Sequence, residues 1–130
     1  RIKINVGAAL TDLPEPPQDY VVIGPNRITT MPMEVPVCYQ EIAHCLETSI
    51  AKIEQAVINA LANTPPALYA DIVKNGIFLT GGGALLRCLD KRLSDKINIP
   101  FHVAEDPLLC VAKGTGEALK HVEDYTFLMR

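Results

Sequence analysis

Ile77-Phe78-Leu79-Thr80-Gly81-Gly82-Gly83-Ala84-Leu85-Leu86-Arg87-Cys88-Leu89-Asp90 is the stretch on which the reading of this 130-residue chain turns. Ile77 to Thr80 is a short apolar run, the pattern of a strand buried on both faces. Three glycines follow, and Leu85, Leu86, Leu89 and Leu93 then mark a helix to about Lys96. A strand delivers the chain to its C-terminal edge and a helix starts immediately. Three consecutive residues without a Cβ let a ligand approach the backbone closely. The first free N–H groups of the helix point at that ligand with partial positive charge. In open α/β sheets, ligands sit beyond the carboxyl ends of strands. That geometry suits a nucleotide; a tight strand-to-helix turn with no ligand is the alternative. The run is not a Walker A loop, because no Gly-Lys-Ser/Thr follows. Nor is it G-x-G-x-x-G, because Ala84, Leu85 and Leu86 come next.

Downstream, Ile99 to Val103 reads as the next strand. Asp106 is an N-cap and Pro107 a first-turn proline, opening a helix to about Val122. Strand, glycines, helix, strand and helix form a unit expected to bury a parallel pair. Gly114 and Gly116 fall inside the last helical pattern, at a cost of about 1 kcal/mol each. They imply close backbone packing against a neighbouring element or ligand, or else a flexible helix end. Glu105-Asp106 is an adjacent carboxylate pair, better explained by capping than by acid–base chemistry.

Upstream the period is helical. Ile42, Leu46, Ile50, Ile53, Val57 and Leu61 recur at steps of 4, 4, 3, 4 and 4, a stripe of more than five turns. Glu41, Glu47, Lys52 and Glu54 avoid that stripe, as a solvated face should. Asn63-Thr64-Pro65-Pro66 stops the helix, and a short one follows from about Pro66 to Lys74, ended by Asn75-Gly76. Before Val37 the composition differs: six of the ten prolines fall between Pro14 and Pro36. Asp12 to Gln18 is a loop. Tyr20 to Ile23 is a strand, Gly24-Pro25-Asn26 a turn, and Arg27 to Val37 a second strand, at an exposed edge or with a bulge, carrying Pro32 and Pro36. Arg1 to Val6 fits either a strand or the tail of a helix, and the helix tail is the preferred reading.

Composition sets the outer limits. The chain is 48% apolar with a net charge of -3, which excludes intrinsic disorder. The longest apolar run, Leu108 to Ala112, is far short of the roughly 20 residues of a membrane span. Twelve basic against 15 acidic residues argue against a nucleic-acid surface. Cys38, Cys45, Cys88 and Cys110 form no C-x-x-C pair and read as reduced, mostly buried thiols of a cytosolic protein, with a disulfide framework as the alternative. His44, His102 and His121 have no partner at metal-ligand spacing. Ser49 and Ser94 sit on helical patterns, and no nucleophile elbow can be assembled. The chain starts without Met or a signal peptide, so it reads as a piece of a longer protein.

The run from Ile77 to Asp90 closely resembles the adenosine motif of the MreB family, bacterial actin-like proteins that determine rod shape. Thr64 to Ile72 resembles that family's segment before the motif, and Ala104 to Gly116 its second connecting helix. Gly24 to Pro32 resembles the family's ribbon, although Thr30 stands where a Gly is common. The resemblance implies a C-terminal fragment of a two-lobed ATPase of the actin and Hsp70 superfamily. The fold it implies is α/β: an incomplete actin-like (ribonuclease H-like) lobe, an αβαβα half preceded by a small β-ribbon subdomain. Residues 1–37 would be the loop and ribbon of a IIB-like small subdomain, and 38–63 a linking helix. Residues 64–130 would be the α/β part of a IIA-like large subdomain.

The resemblance also implies ATP with a magnesium ion held between lobes, and filaments under the cytoplasmic membrane. Gly81, Gly82, Gly83 and Ala84 would line the adenosine and phosphate side, with Lys3 touching the nucleotide. No residue here is implied to be catalytic or a metal ligand. In the family the phosphate loops, the metal-binding acidic residue and the membrane-inserting segment lie upstream. The chain is therefore expected to supply half a nucleotide site and not to hydrolyse ATP alone. The implied partners are further copies of itself and the cell-wall elongation machinery. Competing readings are a superfamily sugar kinase, another actin-like cell-division protein, and a plain interaction module. A kinase would need a substrate lobe and a catalytic acid, and neither appears in the chain.

Overall fold

A computed structural model describes residues 1–121 and 123. Its elements, in order, are α1 (Ile2–Val6), β1 (Tyr20–Pro25), β2 (Pro32–Val37), α2 (Tyr39–Ala62), α3 (Pro66–Asn75), β3 (Ile77–Leu79), α4 (Leu89–Ile97), β4 (Phe101–Val103) and α5 (Cys110–Lys120). β1 and β2 form an antiparallel ribbon, and β3 and β4 a parallel pair with Ile77 opposite Phe101 and Leu79 opposite Val103. The helix at α1, the parallel pair and the Gly76 stop agree with the reading preferred from the sequence. Gly76 is needed there because its φ is +79° and a Cβ would stand 2.8 Å from the Pro100 carbonyl oxygen.

The main core joins Ile50 of α2, Leu89 and Leu93 of α4, Ile99, Phe101 and Ala9. Leu93 is fully buried. Ser94 accepts a hydrogen bond from the Phe101 N–H and donates to the Asp90 carbonyl, tying α4 to β4. A second cluster of Val6, Ala8, Leu13 and Tyr39 packs α1 under the start of α2. There the Cys38 N–H donates to Glu41 as part of a capping box.

Several expectations fail for identifiable reasons. The helix does not follow the glycines at once: Gly82–Leu85 makes a single 3-10 turn, Leu86 is extended, and Cys88 is left-handed before α4 starts. The backbone of Arg87 is instead engaged by a parallel bridge to Ala8, and that pairing holds the chain extended. Pro107–Leu109 is a turn, so Asp106 does not cap α5; its carboxylate pairs with Lys113 and its carbonyl accepts from the Leu109 N–H. The Val122 end of that helix lies outside the described residues. Gly114 and Gly116 meet no atom within 4 Å of a would-be Cβ, so among the described residues nothing packs on them. β3 is not buried on both faces: Phe78 is 65% exposed and rests beside His102 at 5.4 Å. The four cysteines are free, but none is buried. The ribbon reverses later than Gly24-Pro25-Asn26, since Gly24 and Pro25 pair with Met33 and Pro32. Asn26 makes the turn by accepting the N–H groups of Ile28 and Thr29.

The largest departure is on α2. Ile53 is 47% exposed, whereas Glu54, assigned to the solvated face, is buried. Arg92 of α4 explains it. Its Nε donates to Glu54 at 2.7 Å, Nη1 to the Ala9 carbonyl at 2.9 Å, and Nη1 and Nη2 to the two oxygens of Glu47 at 2.6 Å each. The side-chain hydrogen bond from Arg92 is the main cause holding the Glu47 carboxyl below its ordinary range, and the same pairing raises the Arg92 guanidinium further.

Arg92→Met leaves Glu54 buried without its partner and should destabilise by about 3 kcal/mol. Adding Glu54→Leu should recover more than half of that in urea unfolding; strictly additive losses would contradict the buried pairing. Because Glu47 has a lowered folded pKa, its contribution is full above the ordinary carboxylate range. It is lost as pH falls through the lower folded value, so the urea midpoint should drop in acid and drop less in Glu47→Gln. Thr30 has φ +59°, a left-handed conformation that strains a β-branched residue. Thr30→Gly should therefore stabilise the ribbon by about 1 kcal/mol, read as a raised Tm.

Candidate functional site

β3 ends at Leu79, and the chain turns at Gly81 with φ +77°, a conformation that favours glycine. The Gly81 N–H donates to the Pro107 carbonyl at 2.7 Å, which pins the Pro107–Leu109 turn beside the glycine run. The 3-10 turn then closes through Ala84 N–H to Gly81 and Leu86 N–H to Gly83. Gly82 and Gly83 are left exposed at its outer side. A Cβ on Gly82 would meet only Leu108, at 3.5 Å, and one on Gly83 would meet nothing. The fold alone places no side-chain restriction on these two positions, and their bare backbone is open to a ligand.

α1 brings Lys3 opposite them. Lys3, Ile4, Gly82, Gly83, Leu85, Leu86 and Leu108 line one cleft of about 600 Å³. Lys3 is the one charged residue among those seven, and the four apolar side chains make the rest a surface suited to a flat, poorly charged ring system. Of the residues singled out in the sequence, Lys3, Gly82 and Gly83 thus come together. Gly81 and Ala84 do not line the cleft: Gly81 makes the turn, and Ala84 is buried beneath it. The N-terminus of α4 does not serve the glycines either, because Leu86 to Cys88 separate it from them. Sequence reasoning missed Ile4, Leu85 and Leu108, whose exposure of 81%, 57% and 66% is unusual for such residues. Proline before Leu108 was the available signal that its turn is fixed.

Other candidates stay apart. His44 is exposed on α2, His102 rests on Phe78, and His121 lies 3.4 Å from Glu117. Among the described residues no three His, Cys, Asp or Glu are grouped to hold a metal ion, and no helix is long and apolar enough to cross a membrane.

A parallel strand pair around a glycine turn, with a ribbon and long helix before it, defines part of an actin-like α/β lobe. Solved structures agree. MreB5 of Spiroplasma citri bound to ADP matches with a TM-score of 0.84 at 34% identity, over 93% of this chain and 36% of that one. The same protein bound to AMPPNP matches with a TM-score of 0.84 at 32% identity, over 99% of this chain and 38% of that one. The family model described as MreB/Mbl protein matches residues 1–126, and the chain belongs to that family. It is 41% identical over 123 residues to the cell shape-determining protein MreB of Escherichia coli K12, covering 95% of this chain. It is 38% identical over 122 residues to the cell shape-determining protein Mbl of Bacillus cereus, covering 94% of this chain. The chain spans 35% and 36% of the lengths of these two relatives.

Proposed function

We propose that this chain forms part of the nucleotide site of an actin-like filament subunit that directs cell shape. The observation that carries this is the meeting of Lys3 with the open backbone of Gly82 and Gly83 across one cleft. The backbone suits close approach of the sugar and phosphate portion, the apolar side chains suit the base, and the Lys3 ammonium suits phosphate charge. Gly81 and Ala84 act indirectly, by making and supporting the turn. One relative in the fold comparison, MreB5 of Spiroplasma citri, is solved both with ADP and with AMPPNP, which supports the same ligand class here.

ATP is the proposed nucleotide. Among the described residues no three His, Cys, Asp or Glu are grouped to hold an ion, and a magnesium ion is proposed to take its acidic ligand from the rest of the longer protein. Binding without hydrolysis is the role assigned to this chain by itself. The whole protein is proposed to polymerise with its own copies and to work with the wall-synthesis machinery at the membrane. The ribbon would belong to the small subdomain, α2 would link it, and residues from 64 onward would belong to the large one.

The test is made in the longer protein that contains this chain. Gly83→Val adds bulk where the fold leaves space, so folding should be retained while calorimetry shows at least tenfold weaker ADP binding, about 1.4 kcal/mol. Gly82→Val should act likewise. Unchanged affinity in both would remove the cleft, and sugar-dependent ATP consumption without a sedimentable polymer would overturn the filament reading.

A further inference from the structure

The two walls of the cleft are joined at their far ends by a junction that does not itself line it. α1 carries Lys3 and Ile4 in one wall, and the 3-10 turn carries Gly82, Gly83 and Leu85 in the other. Just beyond each, the chain segments run side by side. Ala8 and Arg87 form an isolated parallel bridge, and the Ala9 N–H donates to the Arg87 carbonyl at 2.9 Å. The Arg87 guanidinium reaches over and donates from Nη1 to the carbonyl of Asn5, near the end of α1. A cation there also complements the negative end of the helix.

Gly7 sits inside this junction and is buried. Its N–H donates to the Lys3 carbonyl at 3.0 Å. A Cβ on Gly7 would stand 2.1 Å from the Lys3 carbonyl oxygen and 3.1 Å from Leu86 Cδ1. The Lys3 carbonyl belongs to the same segment and excludes any side chain at position 7, which leaves room for Leu86 of the glycine wall to lie against the bare backbone there. α1 has five residues within this chain and makes too few internal bonds to fix its own position. Together with the packing of Val6 against Leu13 and Tyr39, the junction sets where α1 holds Lys3 relative to the glycines.

We infer that Arg87, with the close contact at Gly7, is a positioning residue that sets the separation of the Lys3 wall from the glycine wall and so governs nucleotide affinity through Lys3. This rests on the nucleotide reading of the cleft. Arg87 touches no ligand in this scheme; it holds the helix that carries the group that does.

The experiment uses the longer protein and ADP as the probe, followed by calorimetry, with the Tm recorded without nucleotide. Lys3→Ala is expected to weaken ADP binding about tenfold. Arg87→Met is expected to weaken it three- to tenfold, with the nucleotide-free Tm within about 2 °C of the parent, and Arg87→Lys should recover part of the loss. In the Lys3→Ala background, Arg87→Met should add less than a twofold further loss, because its route to the ligand is gone. A purely structural Arg87 would lower the Tm and multiply the loss in both backgrounds, and that result overturns the inference. So does unchanged ADP affinity in Arg87→Met while Gly83→Val binds weakly; the cleft then stands without the clasp. If neither Gly83→Val nor Lys3→Ala alters ADP binding, the nucleotide reading itself falls and takes the clasp with it. Should Arg87→Met fail to fold, Arg87→Gln supports the same comparison.

Discussion

The guanidinium of Arg92 is the contact on which the rest of the molecule depends. One side chain on α4 holds Glu47 and Glu54 on α2 and the carbonyl of Ala9 beyond α1. Three stretches far apart in the chain are thereby set at one point. The arrangement is sound because the planar fork of arginine offers several donors in fixed directions, which a lysine could not match. Glu54 is tolerated in the interior because its charge is met there. Glu47 is half in solvent, and its share of the interaction is weakened by screening.

From this point the route to the cleft is short. Ala9 leads back through Gly7 to α1, and Arg92 lies five positions after Arg87, which pairs with Ala8. The ion pair and the backbone bridge therefore fasten the same two segments in series. β3 delivers the glycines, α1 delivers a cation, and the turn after Pro107 delivers Leu108. Each wall is locally simple, and the cleft exists only because the first residues of the chain are brought against the turns at residues 82–86 and at Leu108. The fold that carries these walls matches that of MreB5 of Spiroplasma citri, a protein solved bound to ADP and to AMPPNP.

Much of this was readable residue by residue. The stripe from Ile42 to Leu61 specifies a helix because side chains four apart share a face. Gly76 and Pro66 mark boundaries through their backbone chemistry. The glycine run announces a turn at which a ligand finds backbone unguarded. The errors share one cause. Glu54 looked solvated because a carboxylate carries no sign of an arginine 38 positions away. The helix after Gly83 was drawn too early because leucine spacing cannot reveal that Arg87 is taken by Ala8. Phe78 looked buried because an apolar strand implies covering layers whether or not the described residues supply them.

The amino-acid order alone determined the elements, the parallel pair, the family resemblance and the identity of Lys3, Gly82 and Gly83 as candidates, since periodicity, proline, glycine and motif are local properties. Tertiary structure decided that Lys3 faces those glycines, that Gly81 and Ala84 serve the turn instead of the cleft, and that Arg87, Gly7 and Arg92 govern the geometry. Those outcomes depend on distances between segments remote in sequence. Such distances come from packing and from matching donors to acceptors, and no short window of residues contains them.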